Sequence, residues 1–598
     1  MKQPQESNNL ESIRHSLAHL LAMAVLKKFP KAKLGIGPVI ENGFYYDFKL
    51  PSPISDADLG PLEATMRELI AAKLPISGKK VTPAAAKKLF KGQPFKLDLI
   101  KDFVKEKKTL TVYRTGYEKP VTRNETQSSG NSSLVTGNSF VDLCRGGHVS
   151  NTSEINPDAF KLTKIAGAYW KGDEDNDQLT RIYGLAFQTP DELKKELASL
   201  AEAEKRDHRK LGQHLGLFVF SDLVGPGLPL YTPAGMAVLQ EIKDFSRRLR
   251  QEIGYQEVQT PNMNKAELFK TSGHYEKFKD GMFNVMSHYT KEEYFLKPMN
   301  CPQHTQLYAA EARSYRDLPI KYSDMAVLYR DEKPGELSGL TRLRAFTQDD
   351  GHCFMREDQI EQEFSLVLDA VKKAMQRYGL EYFIRLSLRD EKNKSAYLGD
   401  DAVWKKSQAL LKKLLEEHRV SFVEAPGEAA FYGPKMDLMI KDSLGRQWQL
   451  STIQLDFNMP MRFGLSYTDV NGKKETPVMI HSALVGSPER FLAILIEHYA
   501  GALPYWLAPI QVGVIPISDK VTEYANDVMK QLSNAGIRVW MDDRNETVGR
   551  KIREAEMQKI PYLLVIGPRE AESKTVAVRE RGRGDTGAIP LSQFLKNL

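Results

Sequence analysis

Cysteine is scarce in this chain: three in 598 residues, Cys144, Cys301 and Cys353. Three thiols form no disulfide framework, and each lies in or beside a histidine-bearing stretch, so they point to chemistry or metal rather than to staples. Long hydrophobic runs are missing too. No stretch reaches the roughly 18 apolar residues of a bilayer span, and the opening MKQPQESNNLESIRHS has no basic-then-apolar layout of a secretory signal. These absences exclude a membrane partner through a spanning helix and give a cytoplasmic expectation. Neither sign of charge dominates: 84 Lys and Arg stand against 77 Asp and Glu, a formal balance of +7. That balance permits an anionic partner such as RNA without demanding one. At 598 residues the chain exceeds a single core, and about three to five domains are expected.

Chemistry is densest in residues 329–354, YRDEKPGELSGLTRLRAFTQDDGHCF. Arg330, Arg342, Arg344, Phe346, Gln348, Asp349, Asp350, His352 and Cys353 crowd around a glycine-bearing turn. The alternation after the turn predicts a strand with Arg342, Arg344, Phe346, Gln348, Asp350 and His352 on one face. Guanidinium forks suit phosphate oxygens, a ring stacks on a nucleobase, and a His beside an acid holds a metal or an amine. The stretch describes a site for a nucleotide plus a small polar substrate.

Near the start, SIRHSLAHLLAMAVLKKF is helical in period and sets His15 and His19 four apart, on one face. DLCRGGHV sets Cys144 and His148 four apart. Taken alone, the four read as a zinc tetrad, as a metal-free pocket, or as unrelated histidines. The polar run NETQSSGNSSLVTGNS, 124–139, predicts a mobile loop. TPDELKKELASLAEAEKRDHRKLGQHLGLF, 189–218, opens with Thr and Pro as a helix start and predicts one long charged linker helix. After residue 509 strand-like and helical units alternate, a compact α/β unit with a mostly parallel sheet.

Residues 346–352, FTQDDGH, resemble motif 2 of class II aminoacyl-tRNA synthetases in the version of the threonyl-tRNA synthetases. The likeness continues in family order from about Ser12 to the C-terminus. RHSLAHLLA, NGFYYDF, CRGGH and AGAYWKG resemble the editing domain that threonyl- and alanyl-tRNA synthetases share. YTPAGMAVLQEIKDFSRRLRQEIGYQEVQTPNM resembles motif 1, which implies a homodimer, and GSPERF resembles motif 3. RDHRKLGQ within the linker is a threonyl-family word, and the last segment resembles a class IIa anticodon-binding domain.

The resemblance implies an α+β multidomain chain: editing domain 1–188, linker helix 189–218, class II catalytic domain 219–500 with an antiparallel sheet and helices, and α/β anticodon-binding domain 501–598. It implies a form without the small N-terminal ubiquitin-like domain. The activity implied is ATP-dependent activation of L-threonine and its transfer to tRNA(Thr), with hydrolysis of mischarged seryl-tRNA(Thr). A silent paralogue binding tRNA or mRNA is the alternative, and a proline or serine enzyme the alternative within the class.

By the same resemblance Arg330, Arg342, Gln348, Lys435 and Arg490 serve catalysis, and Met299, Phe346, Asp350, Tyr432, Gln449, Thr452 and Gln454 line the threonine and ATP pocket. Cys301, His352 and His481 hold one Zn(2+) per subunit, and Mg(2+) accompanies ATP. His15, His19, Tyr46, Lys96, Asp142, Cys144 and His148 form a metal-free editing site. Asn545, Glu546, Glu570 and Arg579 face the anticodon. Leu450 and Gln303 depart from the family's usual Cys and Gly, which bears on the fine shape of the pocket.

Overall fold

A computed structural model describes residues 4–117, 134–442 and 445–598, with side chains from residue 9. The chain divides into two compact units, Met1–Ala201 and Glu202–Leu598. Most of the loop expected over 124–139 lies outside the described residues. Its last part forms the short strand Val135–Thr136, paired with Ser139–Leu143.

In the first unit the helix Pro4–Lys28 is buried from Leu17 to Leu26, because it is apolar on most of its faces and serves as a core rod. A five-stranded antiparallel sheet contains Gly43–Lys49, Gln178–Ala186 and Phe160–Tyr169 as neighbours. Phe44, Tyr46 and Phe48 recur every second residue and turn inward. A separate four-stranded sheet includes Thr111–Thr115 beside Ser139–Leu143.

The expected single linker helix is two helices, Pro190–Arg206 and His208–His214. Asp207 breaks it: its carboxylate accepts the Arg209 amide at 2.8 Å and starts the second helix as an N-cap.

The second unit is built on an eight-stranded sheet. Its order is Gln256–Glu257, Ile320–Tyr329, Ala345–Met355, Val478–Ala483, Gln447–Asp456, Lys435–Lys441, Tyr382–Leu388 and Phe422–Pro426. Only the two outermost pairings are parallel. One face carries Cys353, Met355, Ile453, Leu455, Met436, Leu438, Val478 and Ile480 into a large apolar core with helices Ile360–Arg377 and Pro233–Glu252. The other face is left for polar side chains, the usual division of an antiparallel sheet. Helix Pro233–Glu252 starts with Thr232 as N-cap and buries Val238, Leu239, Ile242 and Leu249 along one stripe. Helix Pro488–His498 has Ser487 as N-cap and is buried along most of its length.

The C-terminal part, 512–598, has a five-stranded sheet. Val539–Met541, Val512–Pro516 and Tyr562–Ile566 are parallel, as the alternation predicts. Thr575–Glu580 and Gly584–Pro590 add an antiparallel hairpin that the alternation does not show. Its turn uses Gly582 and Gly584 at positive φ, a backbone conformation that glycine adopts without strain.

Candidate active site

Strand register assembles the site. Tyr322 pairs with His352, His352 with His481, His481 with Gln454, and Gln454 with Lys435, one row across five strands. Residues paired directly across antiparallel strands share a face, so segments far apart in the chain deliver their side chains to one place. Phe346, Gln348 and Asp350 extend the same face along Ala345–Met355. Arg342 and Arg344 precede that strand rather than lying on it. Arg342 sits in the loop and pairs with Glu332 and Glu336, whereas Arg344 donates to the Glu332 carbonyl and braces the turn. Cys353, next to His352, points to the opposite face and is 1% exposed in the apolar core, because alternation separates neighbours.

Two cavities share a wall on this face. One, of about 220 Å³, is lined by Arg330, Arg342, Phe346, Gln348, Gln449, Thr452, Gln454 and Arg490 among others. The other, of about 140 Å³, is lined by Met299, Cys301, Asp350, His352, Tyr432 and His481, and again by Arg330, Gln348, Thr452 and Gln454. Arg330 stands 5.1 Å from the Phe346 ring centre, and burial and nearby Arg490 lower its pKa. A half-buried guanidinium with no carboxylate partner among the described residues, at the junction of two cavities, calls for an anion.

Cys301, His352 and His481 bring Sγ and ring nitrogens within 4.8 Å of one another. His352 Nε2 lies 3.0 Å from His481 Nδ1, and His481 donates its Nε2–H to Asp456 at 3.0 Å. A carboxylate on the far nitrogen fixes the ring and frees the near one, the arrangement of a metal-ligating histidine. The donor set therefore fits zinc, with a thiolate and two imidazoles. Burial raises the Cys301 thiol pKa well above its ordinary value, and a bound divalent cation reverses that. Burial pushes Asp350 up to about 8, while His352 is lowered by burial and by His304, whose Nδ1 is 2.8 Å from its own.

In the first unit His15, His19, Cys144 and His148 also converge within 4.8 Å. Cys144 Sγ is 3.3 Å from His15 Nε2 and 3.2 Å from His148 Nε2. Burial holds all three imidazoles below their usual pKa and pushes the thiol up to about 11. Asp142 accepts from Lys96 at 2.6 Å and from Tyr46 at 2.6 Å, which leaves His19 Nε2 3.8 Å from it. His19 Nδ1 is buried with no hydrogen-bond partner.

Residues 283–499 match the tRNA synthetase class II core domain (G, H, P, S and T), and 511–598 match the anticodon binding domain. Residues 132–183 match the threonyl and alanyl tRNA synthetase second additional domain. Threonine–tRNA ligase of Gloeobacter violaceus is 46% identical over 99% of this chain and 92% of its own. That of Thermus thermophilus is 45% identical over 98% and 87%. The chain belongs to the threonine–tRNA ligase family. It is accordingly a class II aminoacyl-tRNA synthetase. A solved structure, the RNA binding domain of threonyl-tRNA synthetase from Cryptosporidium parvum, superposes with a TM-score of 0.63 at 40% identity, covering 65% of this chain and 97% of that one.

Not every residue expected from the family resemblance lines these two cavities. Lys435 lines neither cavity; its ammonium pairs with buried Asp437 at 2.6 Å. Asp437 also takes Gln449 at 2.8 Å, Thr452 at 3.1 Å and Ser387 at 2.8 Å, and it is a hub that sequence reasoning missed. Asn545 and Glu546 follow the carboxyl end of Val539–Met541, and Glu570 follows that of Tyr562–Ile566, one edge of the parallel strands. Arg579 pairs with Leu563 near the other end and reaches Glu556. His274 was also missed: its Nε2 is 3.0 Å from Met299 Sδ and 3.7 Å from Cys301 Sγ, and burial lowers it to about 3. The word TSGHYEKF contains it but has no local pattern that marks it.

Proposed function

We propose that the chain activates L-threonine with ATP to threonyl-adenylate and transfers it to tRNA(Thr), editing seryl-tRNA(Thr) at the first-unit cluster. The single observation that supports this most is the pair of cavities meeting at Arg330, the smaller one walled by Cys301, His352 and His481. In activation a threonine carboxylate oxygen attacks the α-phosphorus of ATP and pyrophosphate leaves. Arg330 offsets charge building at that phosphorus, Arg342 and Arg490 hold the outer phosphates that carry Mg(2+), and Phe346 stacks on adenine. Arg330 also takes the amino acid's carboxylate side, and Gln348 lines both cavities beside it. Lys435 acts through Asp437, which keeps Gln449 and Thr452 in place. The terminal ribose hydroxyl of the tRNA then attacks the acyl carbon and AMP departs.

Zinc, one per subunit on Cys301, His352 and His481, would supply a Lewis acid that takes threonine's amine and hydroxyl together. Asp350, Tyr432 and Gln454 face those polar groups. Valine lacks the hydroxyl and is rejected strongly. Serine keeps both groups and lacks one methyl, worth roughly 1 to 3 kcal/mol, so hydrolysis elsewhere is required. At His15, His19, Cys144 and His148 an unprotonated imidazole takes a proton from water, without metal, and Lys96 offsets charge on the developing oxyanion. Asn545, Glu546 and Glu570 read unstacked anticodon bases at one sheet edge, and Arg579 contributes from farther away. A homodimer through the Pro233–Glu252 segment and a cytoplasmic location complete the proposal; no helix among the described residues is long and apolar enough to cross a membrane.

Pyrophosphate exchange with threonine, serine, valine and proline tests it. Strong exchange with threonine, weaker with serine and none with valine or proline is expected. Folded, zinc-loaded protein silent with all four would leave the RNA-binding paralogue.

A further inference from the structure

Outside both sites, Asp207, His208 and Glu497 form a third group whose donor atoms lie within 4.8 Å of one another. Its donors are already used. Asp207 is held by the Arg209 guanidinium at 3.0 Å, and Glu497 is paired with Arg446. The group is an ion-paired brace rather than a metal site, and its ring reaches toward the nucleotide cavity.

His208, the first residue of helix His208–His214, is 4% exposed. Its Nδ1 is 2.7 Å from Glu497 Oε1, and its Nε2 is 3.0 Å from the amide nitrogen of Leu340. An amide N–H only donates, so Nε2 accepts and the ring's proton sits on Nδ1, aimed at the carboxylate. Leu340 and Thr341 line the nucleotide cavity directly before Arg342. Thr341 offers its carbonyl to Arg490 Nε at 2.9 Å. Arg490 and Glu497 are both on helix Pro488–His498, seven residues and two turns apart, hence on one side of it. One helix thus grips two consecutive loop residues, directly through Arg490 and by way of the His208 imidazole. Gly339 is the mark of this contact: it has φ +47°, and a Cβ there would stand 2.2 Å from His208 Nε2.

We infer that His208 is a positioning residue for amino acid activation, pinning the loop that carries Arg342 over the outer phosphates of ATP. The inference rests on the nucleotide role proposed for this cavity. The linker's second helix is then part of the activation machinery as well as a connector. A buried amide left without its acceptor moves, and the loop's cation moves with it.

The test is pyrophosphate exchange by the full chain, titrated with ATP and with threonine. His208→Ala should raise KM for ATP by about 10- to 100-fold and leave KM for threonine and zinc content within about twofold. His208→Gln, whose Oε1 reaches the Nε2 position, should restore most of the ATP KM. His208→Asn reaches only the Nδ1 position and keeps Glu497, so it should behave like Ala. If Asn restores as well as Gln, or both KM values rise together, His208 only supports the fold and the inference is wrong. Should His208→Ala not fold, Gly339→Ala attacks the same contact from the loop side, with the same ATP-selective defect expected. Wild-type chain without threonine-dependent exchange would refute the function proposed above instead, and binding of a non-hydrolysable ATP analogue to the variants still decides the role of His208.

Discussion

The two histidine clusters use the same residue types and differ in what stands behind them. In the sheet-built cluster, His481 has Asp456 on its far nitrogen, so the near nitrogen is aimed and its tautomer fixed. In the cluster of the first unit, the nearby carboxylate, Asp142, is consumed by Lys96 and Tyr46, and His19 Nδ1 has no partner. A ring held from behind by a carboxylate suits a metal, whereas the first-unit rings, kept unprotonated by burial, are suited to proton transfer by their lowered pKa. Donor types are the same, one thiol with three imidazoles in the first unit and with two on the sheet; the groups behind the donors separate them.

The largest effect that would sharpen this contrast is His19→Ala. It should lower hydrolysis of seryl-tRNA by about 10²- to 10⁴-fold and leave threonine activation untouched, read by deacylation and pyrophosphate exchange side by side. Equal losses in both assays would dissolve the separation. Next, Arg330→Ala should cost about 10²- to 10³-fold in exchange, with deacylation unchanged.

Smaller is the effect behind the ligand. Asp456→Asn should weaken zinc retention by about 10- to 100-fold on chelator titration, whereas Asp142→Asn should not alter metal content. Elemental analysis giving two zinc ions per chain rather than one would break the comparison outright. Smallest is a pH effect. Burial holds His15, His19 and His148 below 6.5, so the base is already unprotonated and deacylation should be nearly flat from about pH 6 to 8. A fall in rate below about pH 7 would mean an imidazole that titrates normally, in open contact with water. The sign for stability follows: an unfolded chain takes up protons near 6.5 that the folded pocket refuses, so acidification below that value favours unfolding.

Much of this was legible before any coordinates. His15 and His19 four apart on an apolar helix, Ser487 and Pro488 opening a helix, and the alternation from Phe346 to His352 are local patterns, and local geometry obeys them. The breaks were less legible. Asp207 within a charged helical run looks like one more acid until its side chain caps the next helix, and the RGRGDTG hairpin has no alternation to declare it. Arg344 and Cys353 read as site residues from proximity in sequence. The start of the strand at Ala345 and the pleat send one to brace the turn and the other into the core.

The sequence by itself determined the donors: which thiol, which imidazoles, which guanidinium groups, and the order of the words that contain them. Tertiary structure decided which atoms meet. His352 and His481 are 129 residues apart and become partners only because two strands pair in one register. Asp437, Asp456 and Glu497 acquire roles only when the sheet and its helices close over them. Hydrogen-bond register and burial act through space, and no spacing along the chain records them.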